Sequence, residues 1–233
     1  MSLSFNSLAQ MIDLSAVRAE HDDAAVTALA SAARQYQVCS VHTLPAYIPL
    51  IRALLQDVPQ IGIGAPVGFP SGGQTTRIKA AEARELIALG CSEIDMVTNI
   101  GKLLSGRYAE LLDEMRAVVE AAGGHMVKVI LECHYLNPDQ IRRGCDLAIA
   151  AGAAYVKTGT GWAPTGATPE NIALIKAHVG DAIGIKAAGG IRSLAVLLEM
   201  HRLGARRFGL GLTTGTAILE EALLFHHNGS EEH

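Results

Sequence analysis

The sequence predicts a single-domain (β/α)8 barrel, and three observations carry that prediction. Short apolar runs alternate with helix-length amphipathic segments almost from end to end. Eight such runs can be counted, and most are continuously apolar, as strands of a parallel sheet covered on both faces must be. A length of 233 residues is also one at which a single barrel commonly closes. An open doubly wound sheet shows the same alternation. No linker or low-complexity stretch interrupts it here, so one domain over residues 1–226 is expected, followed by a polar, disordered tail at 227–233.

Taken in order, the strand candidates are residues 11–13, 38–42, 61–69, 93–98, 126–132, 154–158, 183–187 and 207–211, of which the first is the weakest. Helices lie between them. Leu111, Leu112, Met115, Val118, Val119 and Ala122 fall on one helical stripe, and Ile141, Cys145, Ala148 and Ile149 repeat the pattern on a shorter one. Thr168-Pro169-Glu170 reads as an N-cap, a proline at the first helical position and an acid in the first turn. Gly90, Gly152, Gly180 and Gly204 stand where helices should stop.

Composition narrows the function. Apolar residues make up 49%, charged residues 18% and aromatics only 4%, so the core should be aliphatic. A net charge of −4 without a basic run gives no footprint for nucleic acid. No apolar stretch reaches the roughly 18 residues of a membrane span. Without a signal-peptide pattern the expected compartment is the cytoplasm. The cysteines, Cys39, Cys91, Cys133 and Cys145, show no CxxC spacing and read as small buried hydrophobes in a reducing environment.

The chemistry concentrates in two lysines. Lys157 (in Tyr155-Val156-Lys157-Thr158-Gly159) and Lys186 (in Ile185-Lys186-Ala187-Ala188-Gly189-Gly190) each close an apolar run that leads into a glycine-rich turn. A buried ammonium is costly, and two on neighbouring strands should depress each other's pKa. A lysine of lowered pKa makes an imine with a carbonyl substrate. Spacing does not decide which of the two is the nucleophile.

Asp13, Asp95, Lys128 and Glu132 also interrupt apolar runs, and all six charges are expected to share one polar site at the C-terminal ends of the strands. Asp95 suits a proton shuttle or a counter-ion to a lysine. Lys128 and Glu132, four apart, share strand parity and should form an internal pair. Gly189-Gly190 offers amides to an anion, with Thr213, Thr214 and Thr216 near the next turn. His42, Cys133 and His134, with Glu132 nearby, are possible zinc ligands, but none has metal-motif spacing. The expectation is an enzyme that needs neither metal nor cofactor.

Several segments, in this order, are similar to the deoxyribose-phosphate aldolases: Val67-Gly68-Phe69-Pro70, Thr75-Thr76 with Lys79-Ala80-Ala81-Glu82-Ala83, Glu93-Ile94-Asp95-Met96-Val97, Lys128-Val129-Ile130-Leu131-Glu132, the turn at Lys157, and Lys186-Ala187-Ala188-Gly189-Gly190-Ile191-Arg192. The resemblance covers nearly the whole chain and implies a class I aldolase on a (β/α)8 barrel. It implies that Lys157 forms a Schiff base with acetaldehyde, that Lys186 stays protonated beside it, and that Asp95 with a water moves the proton between imine and enamine. Glyceraldehyde 3-phosphate is then the acceptor and 2-deoxyribose 5-phosphate the product. Asp13, Cys39 and Lys128 match supporting positions, Thr160, Gly161, Gly189, Gly190, Thr213 and Thr214 would hold the phosphate, and a homodimer is implied.

Departures cluster at one end. The family's Lys-Thr-Ser-Thr-Gly is here Lys157-Thr158-Gly159-Thr160-Gly161, followed by the bulky Trp162-Ala163-Pro164. Gly209-Leu210-Gly211-Leu212 stands where small residues and serines are usual, and Glu132-Cys133-His134 replaces Glu-Thr. No tyrosine follows Tyr155, although some members use one in proton transfer. Either backbone amides still cradle a phosphate, or the acceptor aldehyde has changed. A barrel that only binds a sugar phosphate would not need both lysines together with Asp95.

Overall fold

The computed structural model describes residues 3–229, with side chains through Phe225. Eight parallel strands close into a barrel in sequence order: β1 (Ile12–Ala16), β2 (Ser40–Thr43), β3 (Gly62–Val67), β4 (Glu93–Val97), β5 (Met126–Ile130), β6 (Tyr155–Lys157), β7 (Gly184–Ala188) and β8 (Arg207–Gly211). The weak first candidate is a full strand, and it closes the barrel by pairing with β8 through Asp13 and Gly209. The predicted fold class is the one observed.

The helices are α1 (Phe5–Ala9), α2 (Asp23–Tyr36), α3 (Ile48–Leu54), α4 (Thr76–Ala88), α5 (Ile100–Leu104), α6 (Tyr108–Ala121), α7 (Pro138–Ala150), α8 (Pro169–Val179), α9 (Leu194–Leu203) and α10 (Leu212–Gly229). The tail expected at 227–233 overlaps the end of α10, and residues 230–233 lie outside the described part of the chain.

The local signals act where expected. Thr168 caps α8 by accepting from the Asn171 amide at 3.1 Å, with Pro169 as the first helical residue. Gly180 and Gly204 end α8 and α9 at φ of 55° and 121°, which a side chain would strain. The stripe on α6 buries Leu111, Met115 and Val118 completely, each a contribution of about 1.5–3 kcal/mol.

The hydrophobic core lies between the strands and the helices rather than inside the barrel. Ile94 and Met96 on β4, and Val127 and Val129 on β5, point outward into it. Their alternates Glu93, Asp95 and Lys128 are buried and linked by ion pairs inside the barrel. The strands are therefore apolar on one face and charged on part of the other.

Two boundaries differ from the sequence reading. Strand β5 stops at Ile130 because the chain turns at Glu132, which adopts φ 56°. Strand β2 begins at Ser40, so Cys39 precedes it. The Cys39 amide donates to the carbonyls of Ala9 and Ile12, at the N-terminal end of the barrel.

Candidate active site

Asp95 stands at the centre of the charged layer. Lys157 Nζ donates to its Oδ2 at 2.7 Å and Lys186 Nζ to the same oxygen at 2.6 Å, while Lys128 Nζ reaches Oδ1 at 3.1 Å. Strand register makes this possible, because Asp95 pairs with Lys128 across β4–β5 and Lys157 with Lys186 across β6–β7. Lys186 also lies 2.6 Å from Asp13 Oδ2. The opposite oxygen of Asp13 accepts from Arg207, whose guanidinium also reaches Glu93 at 3.1 Å.

Three carboxylates thus face four cationic side chains, with one positive charge in excess. That excess falls on Lys157. Burial lowers its pKa, the Asp95 carboxylate opposes the shift, Lys186 adds to it, and the result is about 8. Lys186 moves the other way. Burial works against its charge, but Asp13, Asp95 and Glu93 outweigh burial and hold it above an ordinary lysine.

The expected mutual depression is therefore one-sided, because Lys186 has two carboxylates and Lys157 shares one. Burial also acts on Asp95, raising its pKa, yet Lys128, Lys157 and Lys186 hold the carboxyl well below its usual range.

His42 completes the floor. Its Nε2 lies 2.8 Å from Glu93 Oε1, and its Nδ1 lies 3.8 Å from Asp95 Oδ2. A Cβ at Gly64 would sit 2.3 Å from the imidazole, so a glycine on β3 is what leaves room for it. Burial and then the Lys186 charge push the imidazole pKa down, favouring a neutral ring that donates to Glu93.

Above this floor opens a cavity of about 470 Å3, a volume suited to a small metabolite. Asp13, His42, Asp95, Lys157 and Lys186 line its base. Lys157 is the floor lysine that opens into it, with its side chain 12% exposed against 1% for Lys186 and 0% for Lys128.

The glycine turns Gly161, Gly189 and Gly190 line the cavity, as do Thr160 and Thr214, whereas Thr213 does not. Among the described residues the Gly161, Gly189 and Gly190 amides donate to no protein acceptor, and Arg192 beside them forms no ion pair. Thr160 is less available than the sequence suggested. Its hydroxyl donates to Glu132 and accepts from the Trp162 amide at 3.0 Å.

Two readings are corrected by this geometry, the Lys128–Glu132 pair and the place of Cys39. Glu132 does not pair with Lys128. It leaves the strand at the αL turn and holds the 159–161 turn, accepting from the Thr160 amide at 3.2 Å, while Lys128 goes to Glu93 and Asp95. A Cβ at Gly159 would meet Glu132 Oε1 at 2.8 Å, so a serine there requires that carboxylate to shift.

Cys39 does not line the cavity, and His42 is the β2 side chain that does. Burial pushes the Cys39 thiol pKa up, which disfavours a reactive thiolate.

The possible zinc ligands His42, Glu132, Cys133 and His134 do not come together. His134 Nδ1 hydrogen-bonds Thr165 Oγ1 at 2.7 Å, and Cys133, with burial lifting its thiol to about 12, packs into the core. Among the described residues the potential ligands that do converge are Asp13, His42 and Glu93, whose carboxylates already face Lys186, Arg207 and Lys128.

Glu93, Ser40 and Arg207 are site residues that the sequence reading lacks, and His42 appears there only as a possible metal ligand. Their signal was present in the period of two, because Glu93 stands two before Asp95 and Ser40 two before His42.

The family model described as DeoC/LacD family aldolase matches residues 8–221. A Klebsiella pneumoniae protein named deoxyribose-phosphate aldolase is 48% identical over 95% of this chain and 90% of its own. Two solved structures share the barrel. One, from Coccidioides immitis and provisionally described as a deoxyribose-phosphate aldolase, superposes with a TM-score of 0.89 at 35% identity, covering 94% of this chain and 86% of that one. The other, the deoxyribose phosphate aldolase of Aeropyrum pernix, described as a tetramer, gives 0.85 at 27% identity over 93% and 91%. With the match running nearly end to end over a barrel whose floor is built of lysines and carboxylates, the chain belongs to the DeoC/LacD family of aldolases, enzymes that make and break carbon–carbon bonds.

Proposed function

We propose that the chain reversibly cleaves 2-deoxy-D-ribose 5-phosphate to acetaldehyde and D-glyceraldehyde 3-phosphate through a Schiff base on Lys157. The observation that carries this is the division of labour around Asp95 Oδ2. Two lysines donate to one oxygen, and the one open to the cavity has its pKa lowered to about 8.

In the cleavage direction the neutral Lys157 amine adds to the C1 aldehyde of the open-chain sugar; with one proton taken up from solvent, water leaves and a protonated imine remains. The C3 hydroxyl loses its proton, the C2–C3 bond breaks, and its electrons move to the iminium as an enamine while C3 leaves as the new aldehyde. C2 then takes up a proton, and hydrolysis releases acetaldehyde. Asp95, acting with a water, is placed to move the proton at C2. Lys186, held protonated by Asp13 and Asp95, keeps a positive charge beside the nitrogen.

The phosphate end is assigned to the Gly161, Gly189 and Gly190 amides and the Thr214 hydroxyl, with Arg192 on the same wall. The name of the Klebsiella relative supports this substrate. A second reading, a changed acceptor without phosphate, draws on Trp162, Ala163 and Pro164 lining the cavity. Self-association as a homodimer, cytoplasmic residence and catalysis without a cofactor belong to the same proposal. No helix of the described residues is long and apolar enough to cross a membrane.

Borohydride reduction in the presence of acetaldehyde, followed by peptide mass spectrometry, should place the adduct on Lys157. An unmodified Lys157 sinks the imine mechanism. Comparing kcat/KM for deoxyribose 5-phosphate and deoxyribose separates the two acceptors, because a ratio near one favours the unphosphorylated acceptor. Sedimentation distinguishes a dimer from a tetramer such as that described for the Aeropyrum relative.

A further inference from the structure

The loop after β1 and the loop after β6 meet across the cavity mouth, and the groups that join them are unlike the rest of the rim. Trp162 Nε1 donates to the Val17 carbonyl at 3.1 Å. The Arg18 guanidinium lies over the Trp162 ring, 4.9 Å from its centre, and Nη1 donates to the Gly161 carbonyl at 3.4 Å. Phe69, from the loop after β3, packs edge-on against the same indole at 5.8 Å and 89°. The Arg18 turn is itself closed, its amide donating to His21 Nδ1 at 3.2 Å and its carbonyl accepting from the His21 amide at 3.1 Å.

In the closed strand order β6, β7, β8, β1, this bridge links the two strands that flank β7 and β8. The Gly189-Gly190 and Gly209–Gly211 turns lie between its ends, and all of these residues line one cavity.

A guanidinium has five donors in a planar fork. One of Arg18's goes to Gly161, and its acidic neighbour is Glu20 at 3.8 Å, itself 72% exposed. The carboxylates lining the cavity, Asp13 and Asp95, are both at the floor. The mouth therefore carries a cation whose ion pair to Glu20 is long and solvent-exposed, held flat by an aromatic face.

We propose that Arg18, seated on Trp162, is a specificity-determining residue that receives the phosphate of the acceptor from the mouth side, beside the Gly161 turn. This deepens the reading above and rests on its phosphorylated substrate. It also gives the bulky Trp162 a task, which is to orient the arginine.

The test is the ratio of kcat/KM for deoxyribose 5-phosphate to that for deoxyribose, measured in wild type, Arg18→Gln, Arg18→Lys and Trp162→Leu. Arg18→Gln should lower the ratio about tenfold, chiefly through KM of the phosphorylated sugar. Inorganic phosphate should inhibit it correspondingly less well. Arg18→Lys should recover part of the ratio, and Trp162→Leu should lose part of it. The Arg18 side chain is 48% exposed, so the variants should fold, and a melting curve checks this.

An unchanged ratio in Arg18→Gln, or an equal fall on both sugars, overturns the inference and leaves a structural latch. A wild-type ratio near one, with Lys157 still trapped by borohydride, overturns this inference and the phosphate assignment together while sparing the imine. Absence of the trapped adduct marks the failure of the imine reading instead.

Discussion

Two lysines in this barrel are drawn out of bulk water and held in different ways, one fully buried and one 12% exposed at the cavity. Lys79, on α4, lies in the outer layer under the end of β4. Its Nζ donates to Glu114 Oε1 at 2.6 Å and to the Val97 carbonyl at 2.7 Å, sealed from solvent. Lys157, at the end of β6, donates to Asp95 at 2.7 Å and opens into the cavity. Burial lowers the pKa of both. What separates them is ownership of the carboxylate. Glu114 serves Lys79 alone, whereas Asp95 is divided among Lys157, Lys186 and Lys128. A lysine with its own counter-ion is a structural tie, whereas one that shares its counter-ion beside an open cavity fits the nucleophile's part in the mechanism proposed above.

The largest expected effect tests the nucleophile. Lys157→Met should lower kcat by about 10^4-fold or more, the loss expected when a covalent step has no replacement. The same change should not destabilise the fold. A lysine whose folded pKa lies below its unfolded value is penalised at every pH below the folded pKa, and the penalty fades only as pH rises towards the unfolded one. With a folded pKa of about 8, Lys157 carries that penalty at pH 7, so the variant should melt at or above the wild-type temperature. A clear fall in melting temperature would show that Lys157 is a tie after all.

Lys79→Met reverses the pattern. It strands the Glu114 carboxylate, which has no exposure, and breaking a buried pair from one side costs about 3–5 kcal/mol. Chemical denaturation should show that loss, while kcat of the folded fraction stays within a few-fold. A greater fall in kcat would mean that the bond to Val97 positions β4, and with it Asp95.

How much of this contrast was readable in the sequence follows from periodicity. The eight runs, the helix stripes and the lysines on β6 and β7 are local signals and are found in the fold, although Lys186 stands in the middle of β7 rather than at its end. Lys79 appeared only as a matched family position, because its partner Glu114 is on another helix and nothing local announces the pair. The Lys128–Glu132 pairing failed because strand parity was carried two residues past Ile130, where the αL turn at Glu132 ends it. Cys39 entered only as a matched family position; β2 begins at Ser40, and the side chain it sends to the floor is His42. The mouth was unreadable, since the Arg18–Trp162 contact joins residues far apart in the chain across two intervening strands.

A smaller effect probes the support beneath Lys157. Gly159→Ser restores the family's usual residue, but its Cβ would approach Glu132 Oε1 to 2.8 Å and the Ala188 carbonyl to 3.1 Å. The backbone carbonyl cannot swing aside, so a cost of about 1–3 kcal/mol is expected from overpacking. Shortening the acid with Glu132→Asp should relieve part of it in the double variant. Additive losses would show that the serine is excluded by something other than Glu132.

The smallest expected effect is the most direct reading of the shared carboxylate. Imine formation needs the neutral amine, so the rate of borohydride-trapped adduct formation should rise with pH and level off above about 8, the Lys157 pKa. About a tenfold gain per pH unit is expected well below that value. Asp95 opposes the lowering of this pKa, so Asp95→Asn removes the opposition and should move the inflection to lower pH. The sign matters more than the size. A carboxylate acting only in proton transfer would slow turnover and leave the inflection of the trapping reaction in place. One that also sets the charge on Lys157 must move it, and must move it downward.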